Sequence, residues 1–600
     1  MHKRKIGTFQ NRFLYLKDKM KRISTLIIPV FAILSCCAPE DGEHVLHVLS
    51  TNDIHGSYFD STYVGGGVRR SLFSVKTVVD SLRSRFLPEN VLLLDAGDCL
   101  QGDNASYYFN YVDTLTPHLF PRMAGYMGYD AVIVGNHDIE TGHPVYDRVR
   151  ADLKKAGIPF LAGNVMDAAS GKPYFDTFKM FRRAGLKVAV LGYTNANIKA
   201  WLDESLWAGL EFDSLLPLVR QDVDKVRASH KPDVVIVAVH SGTGNGDGSE
   251  LESQGRDLYD SLEGVDVLVC SHDHRPLVLS DEGKCLINAG SHARFLAHAE
   301  VRVKVEGGKV VSKGYETSLI PVRAGDADQS MREEFTKDYE AVKAFTLKEV
   351  GTLETDLLTR DSYKGMCAYM NLIHTVSLSC GPALISFAAP LTFNGCVRAG
   401  TLVFNDMFTI YPYENQLFVV EMTGKEIKDY LEYSYDGWIN TISSSDEHLL
   451  KIREGENSRT GRKSWFFSGR SYNFDSAAGI NYTVDVTKAC GDRVSITSMA
   501  SGEPFSLTER YPVAMTSYRA SGGGGHVVKG AGISPEEMEK RIVRKYPEIR
   551  NLIFGYISGM DTLTASSLSG SGIGSWSFEP CELASAAMER DFALLFPESK

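Results

Sequence analysis

Between residues 45 and 287 one pattern recurs: a short, β-rich apolar run stops abruptly at a loop rich in Gly, Asp, His and Asn. The runs cover residues 45–49, 91–94, 131–134, 186–191, 234–239, 265–269 and 285–287. Such runs, without polar alternation, predict strands buried on both faces. Amphipathic stretches over 71–82 and 216–226 lie between them. Strands alternating with helices predict an α/β domain, whose parallel strands deliver their following loops to one edge of the sheet.

The polar residues cluster in those loops. Asp53 and His55 sit in Thr51-Asn52-Asp53-Ile54-His55-Gly56, and Asp98 in Asp95-Ala96-Gly97-Asp98. Asn136 and His137 sit in Gly135-Asn136-His137-Asp138, His240 ends the fifth run, and His272 and His274 sit in Cys270-Ser271-His272-Asp273-His274. With His137 held apart, the loops offer two carboxylates, one amide oxygen and four imidazoles. Hard oxygen mixed with borderline nitrogen suits Zn, Mn, Fe or Co better than Mg or Ca. Seven ligands exceed one tetrahedral site and fit two ions sharing a carboxylate, a centre that can clamp a phosphoryl oxygen. A lone D-x-H or G-N-H is ordinarily a turn or a solvated loop. Five such pieces in order, each after a strand, are not explained that way. His44, His47 and His118 lack this context and read as core or surface; His143 and His292 lie close enough to support the ligands.

The formal charge is −11, with 43% hydrophobic and 23% charged residues. That excludes a disordered chain and argues against binding a nucleic-acid polymer, which needs a basic face. A single nucleotide held by local groups is compatible with it.

At the start, Lys19, Lys21 and Arg22 precede an apolar run over 23–34, too short to span a membrane and of signal-peptide length. Ile33-Leu34-Ser35-Cys36 resembles a bacterial lipoprotein cleavage box with Cys36 lipidated, and Met20 is a candidate alternative start. Residues 1–43 are thus expected to be signal peptide, lipobox and tether, in an exported protein that is periplasmic or anchored to the outer membrane. Any contact with a membrane would run through that anchor alone. Eight cysteines follow this segment without a CxxC pair, which disfavours a zinc-thiolate site.

Beyond residue 325 the texture changes. Met331, Phe335, Tyr339, Val342 and Phe345 recur at helical spacing, so 326–350 is expected to be one connector helix. A second domain is expected over 351–558, then a Ser/Gly-rich tail over 559–600. The second domain offers Phe393-Asn394-Gly395-Cys396-Val397-Arg398, then Tyr411-Pro412-Tyr413-Glu414-Asn415, then Tyr518-Arg519-Ala520 before four glycines. Two aromatic planes can sandwich a nucleobase, and glycines let backbone approach a ligand.

The order D-x-H-G, G-D, G-N-H, H-S-G and H-x-H resembles the calcineurin-like metallophosphoesterases, and more closely the exported two-domain nucleotidases, over roughly residues 45–530. The resemblance implies a four-layer αββα sandwich over 44–325, followed by a smaller α+β substrate-binding domain. It implies two divalent ions: Asp53, His55, Asp98 and His274 hold one, Asp98, Asn136, His240 and His272 the other, with Asp98 bridging. His137 becomes the catalytic histidine. The family's usual aspartate three residues further on is here Glu140, one methylene longer. Tyr413 and Tyr518 match the base-stacking aromatics, and Asn394, Arg398 and Asn415 match polar substrate contacts.

Where the 5′-nucleotidase and sugar-nucleotide branch ends its last motif in Gly-Gly-Asp, this chain has Gly524. That is more similar to the branch cleaving 2′,3′-cyclic nucleotides and 3′-nucleotides. The expectation is therefore a monomeric phosphoric ester hydrolase acting on a small-molecule nucleotide, most like a 2′,3′-cyclic-nucleotide 2′-phosphodiesterase/3′-nucleotidase. The alternatives are a 5′-nucleotidase or UDP-sugar hydrolase and, in another class, an inactive nucleotide-binding surface lipoprotein.

Overall fold

A computed structural model of the chain describes residues 38–597, apart from 249, 414 and 457–462. The expected signal peptide and lipobox, residues 1–37, lie outside the described residues. No described helix is long and apolar enough to cross a membrane.

Two six-stranded sheets face each other in the first half. In one, Gly42–Thr51, Val91–Asp95, Ala131–Ile133 and Phe160–Leu161 run parallel, with Thr51 opposite Asp95 and Leu94 opposite Ala131. In the other, Leu186–Tyr193, Val234–Val239, Val267–Val269 and Cys285–Asn288 run parallel. Leu46, Leu92, Leu94 and Ile133 from the first share a core with Val188, Ile236, Val269 and Ile287 from the second. Fully burying each such side chain contributes about 1.5–3 kcal/mol. Helices Leu72–Phe86, Leu119–Met127 and His143–Lys155 bury Phe73, Val79, Met123 and Val149 in the core on the outer face of the first sheet. Leu215–His230 and Gly255–Ser261 bury Val219, Val223 and Leu258 against the second. The result is the αββα order of layers. The sequence pattern does not anticipate the long hairpin Phe295–Glu306 and Lys309–Pro321, which pairs antiparallel beside Gly42–Thr51. Its outer strand is half exposed and alternates, so it lacks the apolar run of a buried strand.

The connector is not one helix. Gln329–Glu334 and Thr336–Thr346 meet at Phe335, whose backbone (φ −100°, ψ 14°) leaves the helical region. Met331, Phe335 and Val342 all bury in the first-half core.

In the second half a five-stranded sheet has the order Ser476–Ala478, Ile385–Ala388, Arg510–Thr516, Gln416–Thr423, Ile542–Glu548. Helix Ala368–Leu378 packs in one adjoining core and Gly424–Trp438 in another. The latter helix opens on a capping box: Glu426 N donates to Thr423 Oγ1 and Thr423 N donates to Glu426 Oε2 (2.7 Å).

The expected tail over 559–600 is instead packed structure. Ser575–Glu579 pairs parallel with Ile480–Asp485, and helix Cys581–Leu595 sets Ala587, Met588 and Leu595 into the core around Trp438. Trp576 and Phe578 alternate inward along the strand, while Ala584, Ala587, Met588 and Leu595 keep helical spacing. The glycines sit in the turns before the strand, while Ser575 and Ser577 take its outward positions, so the Ser/Gly content masks both periodicities.

Candidate metal centre and cleft

The loops that carry the polar motifs leave the carboxyl ends of parallel strands in both sheets. They converge into two groups of potential ligand atoms, Asp53/His55/His274 and Asp98/His240/His272, with the atoms of each group within 4.8 Å of one another. In the first, His55 Nε2 lies 3.0 Å from His274 Nε2, and Asp53 Oδ1 lies 3.5 Å from His274 Nε2. In the second, Asp98 Oδ2 lies 3.1 Å from His240 Nε2. Asn136 Oδ1 joins it, 3.0 Å from His240 Nε2 and 2.9 Å from His272 Nδ1. Asp98 Oδ2 is also 4.0 Å from His55 Nε2, so one carboxylate oxygen stands between the groups. Lone pairs aimed at common points, with oxygen and imidazole donors mixed, fit two divalent transition-metal ions.

The backbone is held in uncommon shapes to achieve this. Asp53, His55, Asp98, His272 and His274 all have left-handed φ, between 46° and 72°. Each such residue costs of order 1 kcal/mol or more, and the surrounding fold must over-determine it. Two residues outside the expected set do so. Buried Asp138 accepts from the backbone N–H of Asp98 (3.1 Å), Cys99 (3.0 Å), Leu100 (3.0 Å) and Gly135 (2.7 Å), tying the second motif to the third. Asn52 donates to Asp53 Oδ2 (2.6 Å) and Gly290 O (2.6 Å), and accepts from Ala289 N (2.9 Å). Both stand inside the motifs. The available signal is that a buried loop needs acceptors for its N–H groups. Glycine is required at 135, where a Cβ would come 2.1 Å from Asp98 Oδ1.

Electrostatics set the ligand states. Burial alone would raise the Asp98 carboxyl, but the facing His240, together with His137 and His55, outweighs it and holds Asp98 well below the ordinary carboxylate range. Burial would lower His240, yet Asp98 first and Asp53 after it push it up to about 9. Burial and neighbouring imidazoles push His55 and His272 down to about 3, so both are neutral donors. His240 Nδ1–H donates to Ala96 O (2.7 Å), which aims Nε2 at Asp98 and Asn136. An ion entering there displaces the Nε2 proton, so binding releases protons.

His137 belongs to neither group. Its Nδ1–H donates to the Glu140 carboxylate, its backbone N–H donates to Asp98 Oδ1 (2.9 Å), and its ring meets His55 edge-on at 5.4 Å. His143 is engaged elsewhere, with Asp147 and Ala208 O. The His292 ring is 5.4 Å from His55 and 6.1 Å from His274.

A cleft of about 1050 Å³ joins this centre to the second half, lined on one side by His137, His272 and His274 and on the other by Tyr413, Asn415 and Tyr518. Arg470 and Tyr472, which sequence reasoning passes over, also line it, and Tyr472 meets the Tyr413 ring edge-on at 6.2 Å. Asn394 and Arg398 do not. Strand Cys396–Val397 pairs with Leu357–Leu358, and Arg398, largely exposed, forms an ion pair with Asp356 (2.6 Å) outside the cleft. Arg519 lines the cleft as well, but its donors are spent on bracing the wall. It donates from Nη2 to Asp475 Oδ1 (2.7 Å), from Nε to Asp475 Oδ2 (3.0 Å) and from Nη1 to Asn473 Oδ1 (3.0 Å). Burial would raise Asp475, but Arg519 holds it down to about 2. At Gly524 (φ 71°) a Cβ would meet Arg519 Nη1 at 2.3 Å and Asn473 Oδ1 at 2.7 Å.

Residues 349–530 match the 5′-nucleotidase C-terminal domain family, and residues 90–280 match the bacterial capsule synthesis protein PGA_cap family. The trifunctional nucleotide phosphoesterase protein YfkN of Bacillus subtilis is 22% identical over 88% of this chain, which spans 40% of that longer protein. A 5′-nucleotidase of Vibrio vulnificus is 23% identical over 85% of this chain and 92% of its own. A 2′,3′-cyclic-nucleotide 2′-phosphodiesterase/3′-nucleotidase of Salmonella typhimurium is 23% identical over 80% of this chain and 81% of its own. A structure of a 5′-nucleotidase from Staphylococcus aureus superposes with a TM-score of 0.72 at 18% identity, covering 89% of this chain and 99% of that one.

Proposed function

We propose that this chain, which belongs to the two-domain nucleotidases, hydrolyses nucleotide phosphoesters outside the cytoplasm with two divalent ions drawn from Zn, Mn, Fe or Co. The observation that carries the reading is Asp98 Oδ2 standing between two ligand groups at the mouth of a cleft lined by tyrosines. Asp53, His55, Asp98 and His274 would hold one ion and Asp98, Asn136, His240 and His272 the other. When bound, such ions polarise a phosphoryl oxygen and make water a nucleophile near neutral pH. His137 is positioned to protonate the leaving oxygen from Nε2, while Glu140 grips Nδ1–H and stabilises the imidazolium. Tyr413 and Tyr518 would stack on the base, and Asn415 would bond its edge.

Crowding at Gly524 favours the 2′,3′-cyclic and 3′-nucleotide branch. An aspartate there would have to displace Arg519 and Asn473, so no carboxylate holds the ribose from that position. The test is a panel of 2′,3′-cyclic AMP, 3′-AMP, 5′-AMP and UDP-glucose, with and without chelator, on protein beginning at His44. Chelator-sensitive turnover, faster on the first two, is expected. Faster turnover of 5′-AMP or UDP-glucose would move the chain to the other branch. Nucleotide binding without hydrolysis in the presence of metal would leave a surface binding protein.

A further inference from the structure

Arg294 lies in the loop entering the edge strand Phe295–Glu306. Its Nε donates to Ser291 O (3.2 Å), and its Nη2 donates to Ser291 Oγ (3.1 Å) and to the backbone oxygen of His274 (3.1 Å). Those bonds use one Nε proton and both Nη2 protons of a five-donor fork. Both Nη1 protons remain, and Arg294 has no carboxylate partner among the described residues. The side chain lines the cleft together with Ser291, His137, His272 and His274.

A guanidinium in that position is electrostatically odd. The chain carries a net charge of −11, yet this cation stands beside a centre built for further cations and near a second guanidinium, Arg70. Like charges so placed are unfavourable until an anion arrives. The three bonds also fix the side chain in advance, so little rotamer freedom remains to be lost on binding. Fork geometry matches phosphate oxygens, to which Arg donates charge-assisted bonds.

We infer that Arg294 binds the substrate's phosphate, its Nη1 edge donating to a non-reacting phosphoryl oxygen while the Nε and Nη2 atoms lock the turn carrying His274. The inference deepens the nucleotide phosphoesterase reading and rests on it. Arg294 thus supplies, from the first half, a polar substrate contact of the kind the family resemblance implies for Arg398 in the second.

The experiment measures inorganic phosphate binding by calorimetry, and competitive inhibition by phosphate, on the metal-loaded full chain and on R294Q, R294A and R294K, with ion content read by elemental analysis. Glutamine keeps an amide donor for the His274 carbonyl and removes the charge. R294Q is expected to keep two ions per chain and to weaken phosphate binding roughly 10- to 100-fold, with a parallel rise in KM. R294K should recover part of the loss. Unchanged phosphate affinity in R294Q and R294A would overturn the inference. So would weakening in R294Q that tracks ion loss, since Arg294 would then be a clamp alone. A wild type that hydrolyses no phosphoester would sink the enzyme reading, while the calorimetry still decides whether Arg294 binds phosphate.

Discussion

The two walls of the cleft are built on opposite principles. On the metal-side wall Asp53, His55, Asp98, Asn136 and His240 are buried, His274 and His137 reach the cleft, and all are tied down: Asp138 collects four backbone N–H groups, His240 is aimed by Ala96, and five ligands are held in left-handed backbone. On the facing wall Tyr413 and Tyr518 are each 36% exposed, and rigidity sits one layer back, in the buried Asp475–Arg519 pair. Bond-breaking chemistry needs preorganised charge, which only a closed polar network supplies. Base recognition needs flat surface, and exposed tyrosines supply it with little order. Substitutions on the first wall should therefore alter turnover, and those on the second should alter affinity.

The largest effect tests the shared oxygen. Asp98→Ala should strip both ions and cost more than loss of a general acid does; elemental analysis finding one ion at full occupancy would contradict a bridging role. Next, His137→Ala should lower kcat by roughly 10²–10⁴ with little change in KM. Glu140→Gln should follow at roughly 10–100-fold, as expected for a partner that orients a working imidazole. If both substitutions moved KM alone, the contrast between the walls would collapse.

On the other side, Tyr413→Ala and Tyr518→Ala should each lose about 1–3 kcal/mol of base stacking. That loss should show as raised KM for nucleotides, with turnover of bis(p-nitrophenyl) phosphate, which has no base, unchanged. Slower hydrolysis of that ester would show that the tyrosines do more than hold the base.

The smallest contrast is expected in pH stability, because both halves bury neutral histidines. Burial pushes His118 in the first half down to about 3 and His374 in the second down to about 4. Their folded values lie below the ordinary 6.5, so the unfolded chain takes up protons first. Stability should be complete above about pH 6.5 and fall as pH drops toward 4, by roughly 3 kcal/mol per histidine. Urea titrations across that range check the sign. His118→Gln and His374→Gln should each flatten the slope, and an unchanged slope in both would remove these residues as its source.

The metal-side wall was legible because its residues lie in short motifs, each next to a strand that announces itself by an apolar run. Asp53, Asp98, Asn136, His240 and His274 could be gathered on that logic alone, through the rule that parallel strands end at one edge. Asp138 and Asn52 escaped it: they act on backbone amides, and that demand appears only once the loops are closed. The facing wall was harder. Tyr413 and Tyr518 come from segments a hundred residues apart and were placed by resemblance, and the same resemblance misplaced Arg398, whose pairing with Asp356 depends on a two-residue strand. Over 559–600, serine and glycine content outweighed the inward alternation of Trp576 and Phe578.

Helix Cys581–Leu595 reaches the Trp438 core from the far end of the chain, and its buried Asp591 accepts the Leu450 N–H (2.8 Å). Until Leu595 has been synthesised, the bed for Ala587 and Met588 stays open to water. Domains otherwise tend to fold in order as they leave the ribosome. Here the core around Trp438 cannot close until Ser575–Glu579 and Cys581–Leu595 have emerged, by which point the first-half core, whose last buried member is Val342, is free to assemble. A stop codon before Cys581 would therefore damage the half that carries the tyrosine wall and spare the half that carries the two ligand groups.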